Sequence, residues 1–245
     1  MAATDQETQI ISNNTDSKTL KASSGTIKPY STKKGILKTS TYAFSLWLCF
    51  ELLVKNLTVN NWILMVPSTF VSIIASDLIA GIIHWILDNY RFADPVAVFF
   101  LGEPFVSQYS VHHENPTLLL EQNFWATNSD GLFATSVVLG LVYSWMKFTS
   151  GPWTAWSVAW MWFWVIYCIF TAFTNQFHKW SHTRTADLPK LVRLLQKYNV
   201  ILDQQEHKRH HHDNKKALCL TTGWCNWLLE KLNIWEFSHN IVNSF

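Results

Sequence analysis

The residues with the greatest capacity for chemistry in this sequence are histidines that recur in short groups. In HWILD, His84 and Asp88 are four residues apart, and in HKWSH, His178 and His182 have the same spacing. Residues four apart lie on one face of a helix, so each pair can present two ligands to one ion. The later run HKRHH (207–211) has histidines at spacings of three and four. Imidazole binds zinc, copper, iron and nickel, so these groups predict a metal site.

The number of candidate ligands predicts more than one ion. With the adjacent pair His112 and His113, eight histidines and one carboxylate are available, which is more than one ion needs. They would supply two ions and leave positions open for oxygen or a substrate. The alternatives are a surface coincidence for any single pair and a solvated basic run for HKRHHH (207–212). Four groups together favour the metal site.

The composition indicates a membrane protein. Hydrophobic residues make up 49% of the chain and charged residues 15%, against about 25% charged residues in a typical soluble domain. The 14 tryptophans are typical of a protein with aromatic rings at the membrane interface. The net charge of +2 gives no support for nucleic-acid binding. The four scattered cysteines include no C-x-x-C pair, so they support neither a zinc ribbon nor a disulfide framework.

Four apolar stretches could position the histidines, because each approaches the roughly 20 residues that a spanning helix needs. They cover residues 41–57, 62–85, 131–148 and 153–177. The sequence therefore predicts an all-α, integral membrane helical bundle with about four transmembrane helices. Four buried helices of a soluble bundle are the alternative, which the fourth stretch disfavours because it is apolar on every face. The shorter stretch 93–105 is interpreted as an interfacial segment.

The N-terminal region differs in composition from the rest of the chain. Residues 1–38 are rich in Ser, Thr, Asn and Lys and cannot bury enough apolar surface to fold, so we expect a disordered tail. It lacks the apolar core of a secretory signal. Its acidic residues and its lack of arginine argue against a transit peptide. Residues 39–245 are then the membrane domain.

The distribution of basic residues predicts the orientation. With four spans, the lysines of the tail and the basic residues after the fourth stretch lie on one side, which the positive-inside rule makes cytosolic. Every histidine falls on that same side. We therefore expect a cytosolic, histidine-rich di-metal cap. Asp77 lies inside the second stretch, where an acidic residue is either functional or paired within the bundle.

Five motifs resemble the Kua/CarF-type lipid desaturase family: GIIHWILDNY, HHENP, TNQFHKWSHT, HKRHH and TTGWCNWLLEKL. They extend over roughly residues 70–235. TNQFHKWSHT and TTGWCNWLLEKL are most similar to the plasmanylethanolamine branch. HWILDNY is more similar to the plant plastid palmitate branch, and YSV (109–111) replaces the Arg and Glu that are common before the paired histidines. These departures concern the substrate more than the metal chemistry.

The resemblance implies a ligand set that is also the catalytic centre. Its members, carried over from the matching motifs, are His84, Asp88, His112, His113, His178, His182, His207, His210 and His211. His212 lies one step beyond the family pattern H-x-x-H-H and is interpreted as an extra residue, and His239 as a surface residue. Asp77, Glu114 and Glu206 are candidates for carboxylates that fix the orientation of the imidazole rings.

The resemblance also implies the reaction. Two iron ions would use O2 as a co-substrate, because removing hydrogens from an unactivated alkyl chain needs an oxidant that side chains cannot supply. The electrons would come from outside the chain, since the sequence has no flavin or nicotinamide fingerprint. The resemblance implies cytochrome b5 as their donor. In the plasmanylethanolamine branch, the product is the vinyl ether of plasmalogens, formed in the sn-1 O-alkyl chain of a membrane phospholipid. The implied location is the endoplasmic reticulum membrane.

Two alternatives remain open at this point. The first is an acyl-lipid desaturase or hydroxylase on the same scaffold, which a plastid transit peptide would favour. The second is a non-enzymatic membrane metal transporter or metal buffer. Transporters usually hold their ligands near the bilayer midplane, whereas these histidines cluster at one surface. The bound metal discriminates: an iron pair that consumes oxygen, against exchangeable zinc or copper.

Overall fold

The computed structural model describes most of the chain from residue 30 onwards. The described residues are 30–58, 60–89, 113, 115, 117–149 and 151–242. All regular secondary structure within these ranges is helical, which confirms the predicted all-α class. The predicted tail before residue 30 and the predicted interfacial segment 93–105 lie outside the described residues.

The helices fall into two sets by length. The long helices are α1 (Thr32–Asn56), α2 (Trp62–Asn89), α4 (Phe124–Thr149) and α5 (Ala155–Ala172). The short helices are α3 (Thr117–Glu121), α6 (Thr174–His182), α7 (Lys190–Lys197), α8 (Gln204–His212), α9 (Asn226–Lys231) and α10 (Ile234–Val242). A 3-10 turn covers Thr185–Asp187. Because α1 begins at Thr32, its first residues belong to the region that the sequence analysis assigned to the tail.

Three stretches of the described chain are long and apolar enough to cross a membrane. They are Trp62–Asn89, Phe124–Phe148 and Ala155–His182, so α5 and α6 together form the third. The predicted first span corresponds to α1, which is 25 residues long but is not among these three. Its lysines and Glu51 lower its hydropathy, so a total of four spans stays a prediction.

Pairwise packing of the long helices builds the bundle. Helix α1 packs against α4, α2 against α5, and α4 against α5. Apolar burial drives helix association weakly in lipid, so close packing and interhelical hydrogen bonds carry more of it. The Sγ of Cys49 donates to the carbonyl oxygen of Leu139 at 3.6 Å, and the Oγ of Ser68 donates to that of Ala159 at 2.8 Å. These bonds join α1 to α4 and α2 to α5.

A buried polar segment fixes α6 against α4. Helix α5 ends at Ala172, and Phe173 forms a turn before α6 begins. The Nδ2 of Asn175 donates to the carbonyl oxygen of Thr127 at 3.2 Å, and the Nδ2 of Asn128 donates to the Oε1 of Gln176 at 2.8 Å. Asn175 and Gln176 lie just before His178 in the chain, so these bonds to α4 set the position of α6.

Candidate metal centre

Three helices deliver most of the predicted ligands to one place. Helix α6 supplies His178 and His182, α8 supplies His207 and His211, and their nitrogens converge in what we term the four-histidine cluster. The Asp88 cluster comprises His84 and Asp88 from α2, His210 from α8, and His113. In each cluster the potential ligand atoms all lie within 4.8 Å of one another. The predicted ligand His112 and the candidate carboxylate Glu114 lie outside the described residues.

In the four-histidine cluster, the Nε2 atoms face one another. The Nε2 of His207 lies 2.8 Å from that of His182, 3.0 Å from that of His178 and 3.0 Å from that of His211. The Nε2 atoms of His178 and His182 are 3.2 Å apart. A neutral imidazole nitrogen carries either one proton or one lone pair. One nitrogen cannot satisfy three others in this way, so hydrogen bonding among the rings does not account for the arrangement.

A metal ion does account for these spacings. Imidazole nitrogens bind zinc at about 2.0–2.1 Å, so two ligands of one ion lie roughly 3 Å apart. The Nε2 separations of the four-histidine cluster have this value. The residues therefore fit a bound first-row transition metal, and imidazole is a ligand for iron as well as for zinc and copper.

The Asp88 cluster surrounds one carboxylate oxygen with imidazoles. The Oδ2 of Asp88 lies 3.0 Å from the Nε2 of His84, 3.0 Å from that of His113 and 3.3 Å from that of His210. The Nε2 atoms of His210 and His113 are 3.0 Å apart. The Asp88 side chain is only 2% exposed, and its Oδ1 has no hydrogen-bond partner among the described residues. Three nitrogens and a carboxylate suit a second transition-metal ion.

The two clusters adjoin each other. The ring centroids of His113 and His211 are 4.9 Å apart, those of His207 and His210 are 5.7 Å apart, and those of His84 and His178 are 6.1 Å apart. Helix α8 contributes to both clusters. His207 and His211, four residues apart, belong to the four-histidine cluster, and His210 belongs to the Asp88 cluster. The geometry therefore supports one centre with two metal positions.

Backbone carbonyls fix two of the rings. The Nδ1 of His84 donates to the carbonyl oxygen of Leu218 at 3.0 Å, and the Nδ1 of His210 donates to that of Lys216 at 2.9 Å. Protonation at Nδ1 leaves the Nε2 lone pair for a metal and sets the direction of the ring. Sequence reasoning missed these contacts because backbone oxygens carry no sequence signal.

Burial favours the neutral form of His207, His210 and His211 in α8. Burial, reinforced by the neighbouring His182, lowers the pKa of His207 well below 6.5. Burial followed by the charge of His84 lowers the pKa of His210 to about 4, although Asp88 opposes this shift. The pKa of His211 falls to about 3, again mainly through burial. Metals bind the neutral ring, so these shifts favour metal binding at physiological pH.

Asp77, one of the candidates for orienting an imidazole ring, bonds to backbone N–H groups. Its Oδ1 accepts backbone N–H bonds from Thr221 at 3.1 Å, Thr222 at 2.8 Å and Gly223 at 3.0 Å. Its Oδ2 accepts from the N–H of Cys225 at 3.0 Å. The fully buried carboxylate therefore holds the loop of residues 216–225, which joins α8 to α9. Because that loop carries the carbonyls that fix His84 and His210, Asp77 acts on the imidazoles only through the backbone.

Glu206 also belongs to the support of this loop. Its Oε1 accepts from the Nδ2 of Asn226 at 3.0 Å, and both of its oxygens accept from Arg209. The Oδ1 of Asn226 in turn accepts the N–H of Cys219 at 2.9 Å. Asn226 is fully buried, and sequence reasoning missed it, although it lies in the motif TTGWCNWLLEKL. Exposed His212, by contrast, lies in neither cluster.

Comparisons with known proteins identify one family. The lipid desaturase domain matches residues 73–245. Mouse plasmanylethanolamine desaturase 1 is 32% identical over an alignment of 209 residues that covers 81% of this chain and 74% of that protein. The plasmanylethanolamine desaturase of Myxococcus xanthus is 27% identical over 187 residues, covering 75% of this chain and 62% of that protein. Chloroplastic fatty acid desaturase 4 of Arabidopsis thaliana is 27% identical over 168 residues, covering 66% and 47%.

No solved structure matches this chain. The matched family region includes every residue of the four-histidine and Asp88 clusters, together with Asp77 and the loop that it holds. This agreement confirms the resemblance drawn from the five motifs. The chain belongs to the lipid desaturase family.

Proposed function

We propose that this protein is a plasmanylethanolamine desaturase, which introduces the vinyl-ether double bond of plasmalogens into the sn-1 O-alkyl chain of an ethanolamine phospholipid. The observation that carries the proposal is the pair of adjoining clusters, which together offer seven described imidazoles and one carboxylate. The 32% identity to the mouse plasmanylethanolamine desaturase supports the choice of substrate.

The reaction requires an oxidant at the site. A pair of iron ions with O2 would supply it: two hydrogens would leave adjacent carbons of the alkyl chain, two electrons would come from a donor and two protons from water, and O2 would be reduced to two waters. His178, His182, His207 and His211 would hold one ion, and His84, Asp88, His113 and His210 the other, with His112 as a further ligand.

The protein itself supplies position and a dry environment. The 216–225 loop orients His84 and His210 through its carbonyls. Burial of His84, His207 and His210 keeps water away from the ligands, since each is at most 1% exposed. The reactive carbons of the proposed substrate lie next to the ether oxygen, close to the headgroup. A site at the membrane boundary suits that position.

The donor and the location belong to the same proposal. The clusters lie at the helix ends that the basic residues predict to be on the cytosolic side of the membrane. A basic face suits an acidic donor such as cytochrome b5 and also anionic lipid headgroups. We infer a multi-pass protein of the endoplasmic reticulum membrane with its histidine centre on the cytosolic side.

An acyl-lipid desaturase is the second candidate. HWILDNY resembles the plastid branch, and a chloroplastic fatty acid desaturase is among the relatives. Its reaction would use the same two clusters and the same oxygen stoichiometry. Only the bond that is desaturated and the lipid that carries it would differ.

Lipid mass spectrometry of plasmalogen-deficient cells that express this chain tests the proposal. We expect new ethanolamine ether lipids that disappear on acid treatment, because vinyl ethers are acid-labile. Cells that express His210→Ala should form none, while His212→Ala should match the parent chain. A new acyl double bond without acid-labile lipids would support the second candidate. Unchanged lipids with exchangeable zinc or copper on the purified protein would support a metal transporter or buffer.

A further inference from the structure

We propose that a cavity beside the four-histidine cluster binds the phosphate group of the substrate glycerophospholipid through Arg184 and Lys208. This inference rests on the proposed function, because it assigns a binding role to the entrance of the same centre. It assigns a role to two residues that are not themselves candidate metal ligands. It also predicts that the enzyme selects lipids that carry a phosphate.

The cavity lies between α6 and α8 and has a volume of about 330 Å³. Its lining includes three members of the four-histidine cluster: His182, His207 and His211. Arg184 and Lys208 also line it. An occupant would therefore contact both candidate metal ligands and two cations.

One face of α8 joins these two features. Gln204, Lys208 and His211 all line the cavity and are spaced at four and three residues, which places them along a single helical face. Lys208 is exposed and has no ion-pair partner among the described residues. A cation and a metal ligand are thus separated by about one helical turn on one wall.

The segment that carries Arg184 is attached to the same helix. The Nε2 of Gln204 donates to the carbonyl oxygen of Thr183, and the Oγ1 of Thr185 donates to the Oε1 of Gln204 at 3.1 Å. The Nε of Arg184 donates to the Oδ2 of Asp187 at 2.7 Å. This bond uses one edge of the guanidinium, and its two terminal nitrogens have no partner among the described residues.

A phosphate fits this combination of groups. Terminal guanidinium nitrogens bind phosphate oxygens in pairs, and a lysine adds a compact positive charge. In a glycerophospholipid only a few bonds separate the phosphate from the first carbons of the sn-1 chain. A phosphate held by Arg184 and Lys208 would therefore keep those carbons near His182, His207 and His211. The volume is that of a small-molecule site, whereas a donor protein would need a broad surface.

The test uses purified, iron-loaded, full-length protein and two substrates: an sn-1 O-alkyl glycerophosphoethanolamine, and the matching O-alkyl diglyceride that lacks the phosphate. For the Arg184→Gln, Lys208→Gln double variant we expect KM for the phospholipid to rise by about tenfold or more with kcat largely kept, which is the pattern of lost substrate binding. The matched control is Arg193→Gln with Lys215→Gln, two exposed cations outside the cavity. It should behave like the parent protein.

Lipid binding provides a readout that does not depend on turnover. Native mass spectrometry would compare retention of diacyl glycerophosphoethanolamine with retention of diacylglycerol. We expect the parent chain to prefer the phospholipid and the double variant to lose that preference. If the parent desaturates neither substrate, the proposed function fails, while this binding comparison still tests the cavity.

Three results would overturn the inference. The first is an unchanged KM and an unchanged lipid preference in the double variant. The second is an equal effect in the control, which would indicate general attraction to anionic lipid. The third is a defect seen with an acidic protein donor but absent with a small chemical reductant, which would assign the two cations to donor docking.

Discussion

The Nδ1 of His84 donates to the carbonyl oxygen of Leu218 at 3.0 Å, although 134 residues separate them in the chain. This bond ties the end of a membrane helix to the 216–225 loop, and it directs the Nε2 of His84 towards Asp88. The metal centre therefore depends on how closely that loop approaches α2. Two substitutions test this dependence at a distance from the ligands themselves.

Gly81→Ala should push the loop away from α2. A Cβ at Gly81 would lie 2.7 Å from the Sγ of Cys219, closer than van der Waals contact allows. Cys219 follows Leu218 directly, so the shift would weaken the bond to His84. We expect iron affinity to fall by about 10–100-fold, as for other losses of ligand support. The iron affinity is measured from the iron that the protein retains at increasing concentrations of a chelator.

Gly140→Ala is the matched control, because a Cβ at that helical position would have no atom within 4 Å. It should keep the iron affinity of the parent chain. Equal iron affinity in the two alanine variants would show that the loop does not need its close approach to α2.

Asp77→Asn should destabilise the loop. The amide keeps one oxygen, but its NH2 group would face an N–H donor where the carboxylate oxygen accepted the bond from Cys225. Hydrogen bonds to a charged group contribute about 1.5–3 kcal/mol each, so we expect stability to fall by roughly 3 kcal/mol or more. Thermal unfolding in detergent measures the change. Glu51→Gln, at a half-buried acidic residue paired with Lys55, should shift the unfolding temperature little.

Removal of a single ligand should empty one metal position and leave the other. His182→Ala removes a candidate ligand of the four-histidine cluster only, so we expect about one iron per chain, against two in the parent if the proposed centre is correct. Turnover should fall by about a thousandfold or more, because the residues act as a unit. His212→Ala, outside both clusters, should keep both iron and activity. Two irons in the His182→Ala protein would contradict the assignment.

The iron-free protein should lose stability in acid. The folded pKa values of His210 and His211 are about 4 and about 3, below the ordinary value of 6.5. The unfolded chain therefore binds protons first as the pH falls, and stability is lost from about pH 6.5 down to about pH 3. Unfolding temperatures measured across this range should fall. Iron-loaded protein should stay folded to a lower pH, because the metal competes with protons for the imidazole nitrogens.

Much of the clustering of these side chains could be predicted from sequence, because the candidate ligands follow helical spacing. His84 with Asp88, His178 with His182, and His207 with His211 are each four residues apart, and each pair lies in a single cluster. Spacing within one helix could not show how the pairs combine. That His210 joins the Asp88 cluster depends on the angle between α8 and α2, which only tertiary packing sets.

The support of the ligands was less predictable. An acidic residue at position 77 suggested a contact with imidazole, but its partners are four backbone N–H groups of a distant loop. Such partners have no side-chain signature. The number of spanning helices was also hard to predict. Helix α1 is long enough to span, with 25 residues, but its charged residues lower its hydropathy.

The most direct test of the central claim is turnover by purified protein loaded with one metal at a time. The measurement follows O2 consumption and acid-labile product from an O-alkyl glycerophosphoethanolamine in the presence of a reductant. We predict one O2 consumed for each vinyl ether, with activity lost on chelation and restored by iron but not by zinc. Full activity with zinc, or product formed without O2 consumption, would contradict the claim that the two clusters form a di-iron desaturase centre.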